Sequence, residues 1–274
     1  MSIPSHDLCH LLDPALDVAI EAGRKILEIY ESGFEVTTKS DQTPVTEADL
    51  AASHIIEKGL ATLTPSLPVL TEESEAIDSQ QRQQWQQFWL VDPLDGTQEF
   101  INKTGEFTVN IALIDGDKPV LGIIYAPAMG LYYYACQGHG AYKRSATEQP
   151  RAIQARKWSG GKVVVACGHS RCGSQLQGLL KQFEEYEVIS LGSALKSCWV
   201  AEGKADIYAR FGPTSEWDTA AAQCIVEEAG GSITDTQLEP LCYNCGEDLL
   251  NPHFIVSGQG LNLRDYLPSL TSAS

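Results

Sequence analysis

The rhythm of apolar runs changes once along this chain, and that change restricts the fold more than any other feature. From Thr108 the sequence reads TVNIALID, a Gly-Asp turn, PVLGIIYAP and LYYYAC, three apolar runs joined by short connections, which predicts an antiparallel meander. After about Gln149 it alternates, with KVVVAC, EVISLG, ADIYAR, GSITD and HFIVSG as strands and SQLQGLLKQF, SALKSCWVAEG and WDTAAAQCIVEEAGG as helices. Residues 1–149 are therefore expected to form an α+β domain and residues 150–274 an α/β domain. Chemistry in such a chain belongs between the halves or at the carboxyl ends of strands.

Two helices are expected before the meander. DPALDVAIEAGRKILEIYES places Leu16, Ala19, Ile20, Gly23, Ile26, Leu27 and Tyr30 at helical spacing, with Asp13 as N-cap and Pro14 at the first helical position. A second helix is expected to start at Thr46, where Asp49 three residues on completes a capping box.

Composition removes several classes of function. The net charge is −17 with only 19 Lys and Arg in 274 residues, whereas phosphate contacts to a nucleic acid need clustered cations. An acidic small substrate stays open, because bound divalent cations reverse the sign of a site locally. The first residues, MSIPSHDLCHLLDP, lack a basic segment followed by an apolar run, and nothing approaches the roughly 18 apolar residues of a membrane span. The chain reads as cytosolic. Eight scattered cysteines fit free thiols in a reducing compartment; Cys242 and Cys245, in CYNC, are spaced like zinc ligands but lack a second pair, so the preferred reading is small apolar residues near a turn.

The acids come next. In FWLVDPLDGTQEF a short apolar run reads as a buried strand with Asp92 at its carboxyl end and Asp95 just beyond, in a Pro-containing turn. In PVLTEESEA a second run ends at Glu72 and Glu73, and Asp218 lies in the first turn of the helix that begins near Glu216. Each has a structural account as well: Asp-Pro and Asp-Gly make turns, and an acid in a first turn is favoured by the helix dipole. Together they suggest a site for hard divalent cations, which take oxygen ligands and relieve the repulsion of crowded carboxylates. Gly96 and Thr97, at a turn into a helix, would offer backbone amides to a phosphate. Metal-assisted phosphoryl transfer is the chemistry these parts share.

TEE at 71–73, WLVDPLDGTQEF at 89–100 and EWDTAAAQCIVEEAGG at 216–231 resemble, in order and spacing, the three signatures of the lithium-sensitive, magnesium-dependent inositol monophosphatase superfamily. The resemblance covers nearly the whole chain and implies a five-layer αβαβα sandwich. KSDQTPVTEADLAA, GEFTVNIALIDGDKPVLGIIYAPAMG and LGSALKSCWVAEGKADIYARFGPTSEWDTAAA are closer to its 3'(2'),5'-bisphosphate nucleotidase branch. That branch implies two or three magnesium ions. Glu72, Asp92 and the Leu94 carbonyl would hold the first, and Asp92, Asp95 and Asp218 the second. Asp49 and Thr97 would orient and deprotonate the attacking water, and the amides of Gly96 and Thr97 would cradle the phosphate. The substrate would further meet Glu72, His169, Gly192, Lys196 and Asp218.

The resemblance implies hydrolysis of the 3'-phosphate of adenosine 3',5'-bisphosphate to AMP and phosphate, with 3'-phosphoadenylyl sulfate as a second substrate, in sulfur assimilation. Two departures bear on the substrate: ACGH at 166–169 lacks the Arg and hydroxyl that relatives carry beside the histidine, and Gln98 stands where they often have Lys. Inositol monophosphate or fructose 1,6-bisphosphate hydrolysis remains an alternative, as does a non-catalytic nucleotide or metal sensor. Monomer and homodimer both remain open. Relatives are sometimes peripheral on the cytoplasmic face of the inner membrane, but this sequence shows no basic amphipathic helix to support that.

Overall fold

A computed structural model of the chain describes residues 5–34, 36–38, 44–75, 77–145, 147–169 and 173–266. Residues 39–43, part of the KSDQTPVTEADLAA match, and Cys172 lie outside them. A 3-10 turn, Ser5–Leu11, runs straight into helix α1 (Leu12–Ser32). Because the backbone at Leu11 is already helical and makes no side-chain cap, Asp13 is not the N-cap expected from Asp-Pro; it sits inside the first turn, where its charge meets the positive end of the helix dipole. Strands β1 (Val36–Thr38) and β2 (Pro44–Thr46) pair antiparallel, and helix α2 (Glu47–Leu63) follows with Thr46 as its cap, as expected.

A seven-stranded sheet occupies the first half. Strand β3 (Val69–Thr71) lies parallel to β4 (Gln87–Asp95), with the single turn of α3 (Ser79–Arg82) between them and α4 (Thr97–Ile101) just after. The expected meander follows as β5 (Thr108–Asp115), β6 (Lys118–Ala126) and β7 (Leu131–Cys136), all antiparallel. Two short strands, β8 (Ala141–Ser145) and β9 (Arg151–Ile153), extend it. The text AYKRS is too polar to read as a strand, and β8 is held by pairing on both sides rather than by its own apolar content.

Strand β10 (Val163–Cys167) starts the second sheet, followed by helix α5 (Ser174–Leu180), β11 (Tyr186–Ser190), helix α6 (Leu195–Ala201), β12 (Ile207–Arg210), helix α7 (Glu216–Glu228), β13 (Ser232–Asp235) and β14 (Phe254–Ser257). Its order is β11-β10-β12-β14-β13, with β10 parallel to both its neighbours and β14 antiparallel to both of its own.

Side-chain alternation sets the layers. Trp89, Val91, Val109, Ile111 and Leu113 face α1 and α2, while Phe88, Leu90, Ala112, Ile114 and Ile124 face the opposite way into a cluster with α6, α7 and one face of the second sheet. The far face of that sheet, through Val163, Val165, Ile207 and Ile255, packs on Leu176, Leu179 and Leu180 of α5. The result is the expected αβαβα sandwich, with α6 and α7 as its middle layer. Gly122 shows how closely α7 sits on β6: a Cβ there would stand 2.4 Å from the Ala221 carbonyl oxygen.

Cys9 and Cys136 form a disulfide that ties the first turn to the end of β7, which corrects the expectation that all the thiols are free. Their separation of 127 residues carries no spacing signal that could have revealed the pair. Cys167, Cys198 and Cys224 are buried free thiols, and Cys242 and Cys245 are exposed ones. No helix among the described residues is long and apolar enough to cross a membrane.

Candidate active site

Strand β4 does not stop at Asp92. It runs on through Asp95, with a register shift between the two: Asp92 pairs with Asn110 and Asp95 with Thr108. The shift at Pro93 is what turns both aspartates toward one place, since regular alternation would send residues three apart to opposite faces. Asp218 arrives from the first turn of α7, where its Oδ2 accepts the Ser215 N–H at 2.8 Å as half of a capping box. Ligand oxygens of Asp92, Asp95 and Asp218 all lie within 4.8 Å of one another. Glu72, one residue beyond β3 and held to β4 by its N–H to the Val91 carbonyl, stands outside that core; its charge nevertheless acts on Asp92, Asp218 and Asp49.

The electrostatics follow from burial. Asp92 is held well above the usual carboxylate range by burial first and then by Glu72, Asp95 and Asp218. Burial and the Asp95 charge push Asp218 up to about 7. Burial also raises Asp95, against the opposing pull of Lys196. Crowded, buried oxygen ligands whose pKa values are all raised fit a hard divalent cation, whose charge would relieve their repulsion.

Beside the acids, Asp49 is buried at the third position of α2, and both Thr46 groups, N–H at 2.8 Å and hydroxyl at 2.6 Å, donate to its Oδ2. That leaves Oδ1, which accepts from Thr97 Oγ at 3.3 Å, while the Leu94 carbonyl oxygen lies 3.5 Å from the same hydroxyl. Burial raises the Asp49 pKa and the Thr46 bonds hold it back. Gly96 has φ of +91°, so the turn between Asp95 and α4 takes a left-handed residue, which exposes the amides at the start of α4.

A cavity of about 540 Å³ opens from Asp95, Gly96 and Asp218 toward the second sheet. His169, 45 % exposed, lies on its wall. Lys196 is only 8 % exposed and lines it too, donating to the Ser193 carbonyl at 2.6 Å with its pKa lowered by burial, so it is no solvated helix residue. Gly192 does not line the cavity but supports its wall: a Cβ there would stand 2.6 Å from both the Glu106 carbonyl oxygen and Glu99 Cγ.

The sequence reading missed two lining residues. Ser193 has φ of +47° and a buried hydroxyl without a partner, and Arg210, at the end of β12, has a buried Nε without one. A cation at the carboxyl end of a central strand in so acidic a chain was the available signal for Arg210; a lone serine offers none.

A five-layer sandwich whose buried carboxylates converge beside a Gly-Thr turn and an Asp–Thr pair is the arrangement of a metal-dependent phosphatase. Residues 7–272 match the model of the inositol monophosphatase family, and the chain belongs to that family. It is 46 % identical over 249 residues to the 3'(2'),5'-bisphosphate nucleotidase CysQ of Escherichia coli strain K12, covering 90 % of this chain and 99 % of that one. It is 40 % identical to the CysQ of Haemophilus influenzae strain Rd over 91 % of this chain and 93 % of the other. Among solved structures, CysQ from Bacteroides thetaiotaomicron, a bacterial member of the inositol monophosphatase family, superposes with a TM-score of 0.77 at 40 % identity, covering 90 % and 96 % of the two chains.

Proposed function

We propose that this chain is a 3'(2'),5'-bisphosphate nucleotidase that removes the 3'-phosphate of adenosine 3',5'-bisphosphate, giving AMP and phosphate, and acts also on 3'-phosphoadenylyl sulfate, in sulfur assimilation. One observation carries the choice of substrate: the cavity is lined by cations as well as acids. Lys196 and Arg210 line it together with Asp95 and Asp218, so a ligand with one phosphate at the acids has positive charge in the same cavity to meet its second. A monophosphorylated polyol offers those cations only neutral hydroxyl oxygens and no second negative charge. The identity to CysQ relatives supports the same reading.

Magnesium, as two or three ions, is the cation proposed, held by Glu72, Asp92, Asp95, Asp218 and the Leu94 carbonyl. When bound, it supplies electrophilic charge to the phosphoryl oxygens and eases deprotonation of water. The chain's own groups do the rest. Thr97 donates to Asp49, so its oxygen is left to accept from the attacking water, and Asp49, with a raised pKa, takes up the proton passed along that pair. The 3.3 Å separation is long for such a bond and is expected to tighten with substrate in place. The amides of Gly96 and Thr97 meet the phosphate, and Lys196, Arg210 and His169 hold the nucleotide end. Residues up to about 149 thus supply most of the chemistry, and residues from about 150 supply substrate recognition and the last acid.

The product distinguishes this reading from its rivals. Incubation with adenosine 3',5'-bisphosphate and magnesium, followed by chromatography, should yield adenosine 5'-phosphate; accumulation of adenosine 3'-phosphate would show that the two phosphates sit the other way round.

A further inference from the structure

Glu106 stands just before β5, in the half of the molecule that carries the acids, and its side chain crosses to two loops of the other half. Its Oε2 accepts the Gly192 N–H at 2.7 Å, and the same oxygen meets Nε2 of His169. Those loops follow β11 and β10, adjacent strands of the second sheet, so a single carboxylate gathers both loop ends at the cavity. The backbone is locked as well. A Cβ on Gly192 would lie 2.6 Å from the Glu106 carbonyl oxygen and 2.9 Å from Glu106 Cβ, so the turn that leads to Ser193 is pressed directly against this residue.

The carboxylate oxygen that accepts the Gly192 N–H also meets the His169 ring, and Nε2 is the nitrogen turned to it. That leaves Nδ1 as the ring nitrogen available to a ligand. Glu106 itself is not among the residues lining the cavity.

We infer that Glu106 is a positioning residue for the nucleotide end of the substrate: it seats His169 and the Gly192–Ser193 turn at the cavity wall and fixes which imidazole nitrogen faces the ligand. The inference rests on the nucleotidase reading above. It assigns Glu106 a role in binding the nucleotide and none in cleaving the phosphate ester.

The test is steady-state kinetics of the magnesium-loaded protein and its Glu106→Ala and Glu106→Gln variants on adenosine 3',5'-bisphosphate, with inorganic phosphate as product inhibitor. Losing a charge-assisted bond shared by two loops should raise KM about tenfold in Glu106→Ala while kcat stays within about twofold. The inhibition constant of phosphate, which binds at the acid end, should not move. Glu106→Gln keeps an oxygen able to accept from both partners but loses the charge that strengthens both bonds, so its KM should fall between. An unchanged KM, a fall in kcat at constant KM, or a phosphate constant that shifts in step with KM would each overturn the role.

If Glu106→Ala melts early, the isosteric Gln variant decides. Calorimetric binding of AMP reads the same effect without turnover: a wild-type protein that binds AMP but cleaves nothing sinks the nucleotidase reading alone, and one that does not bind AMP sinks both.

Discussion

Asp92, Asp95 and Asp218 repel one another when no cation is present, and two outcomes follow at the level of single residues. Replacing Asp95 with Asn should lower turnover by at least about two orders of magnitude while leaving the fold intact, because the site loses a charged ligand and the amide keeps the side chain's size and an acceptor oxygen. Near-normal activity in a folded Asp95→Asn protein would remove the acids from the chemistry. The second outcome concerns pH. Asp218 has a folded pKa of about 7 against an ordinary value of 3.8, so the metal-free folded protein binds this proton more tightly than the unfolded chain does. Stability of the metal-free protein should therefore rise as pH falls from above 7 toward 4 and be lost as pH rises back through 7. Melting in the presence of a chelator, at about pH 5.5 and about pH 8.5, should show the higher Tm at the lower pH, and added magnesium should shrink the difference. At this scale the acids were legible in the sequence because they stand in three dense motifs. Ser193 and Glu106 were not, since each acts through neighbours that only the folded loops bring to it.

Among the elements, the two helices that carry acids do double work. Thr46 caps α2 and holds one oxygen of Asp49, so Thr46→Ala should cost about 1 kcal/mol of stability and also lower kcat, because it removes the hydroxyl, one of the two donors that orient the carboxylate facing Thr97. A loss of stability with kcat unchanged would confine Thr46 to capping. Helix α7 is placed by close contact with β6, and Gly122→Ala, which forces a Cβ to within 2.4 Å of the Ala221 carbonyl oxygen, should destabilise by about 1–3 kcal/mol; a melting curve like that of the parent would contradict the packing. The meander and the strand–helix alternation could be read directly because their runs are apolar. Strands β8 and β9 could not, since pairing partners rather than composition hold them, and the true end of β4 was hidden because Pro93 looks like a stop whereas the sheet absorbs it as an irregularity.

The described residues form two large sheets, the small β1–β2 pair and the helices that cover them, with the cavity where loops of the two large sheets meet. The Cys9–Cys136 disulfide closes 127 residues of the first half, so Cys9→Ser should cost about 2–4 kcal/mol, measured by denaturant unfolding against the oxidised parent. No loss would mean that the N-terminal turn is held by packing alone. The cavity is lined by both acids and cations, and one comparison tests most directly what that lining is for: initial rates of phosphate release from adenosine 3',5'-bisphosphate and from inositol 1-phosphate at equal concentration, each with and without magnesium. Magnesium-dependent release that strongly favours the nucleotide is the result expected. Preference for the inositol ester would contradict the role given to Lys196 and Arg210, and release that does not depend on magnesium would contradict the role given to the acids.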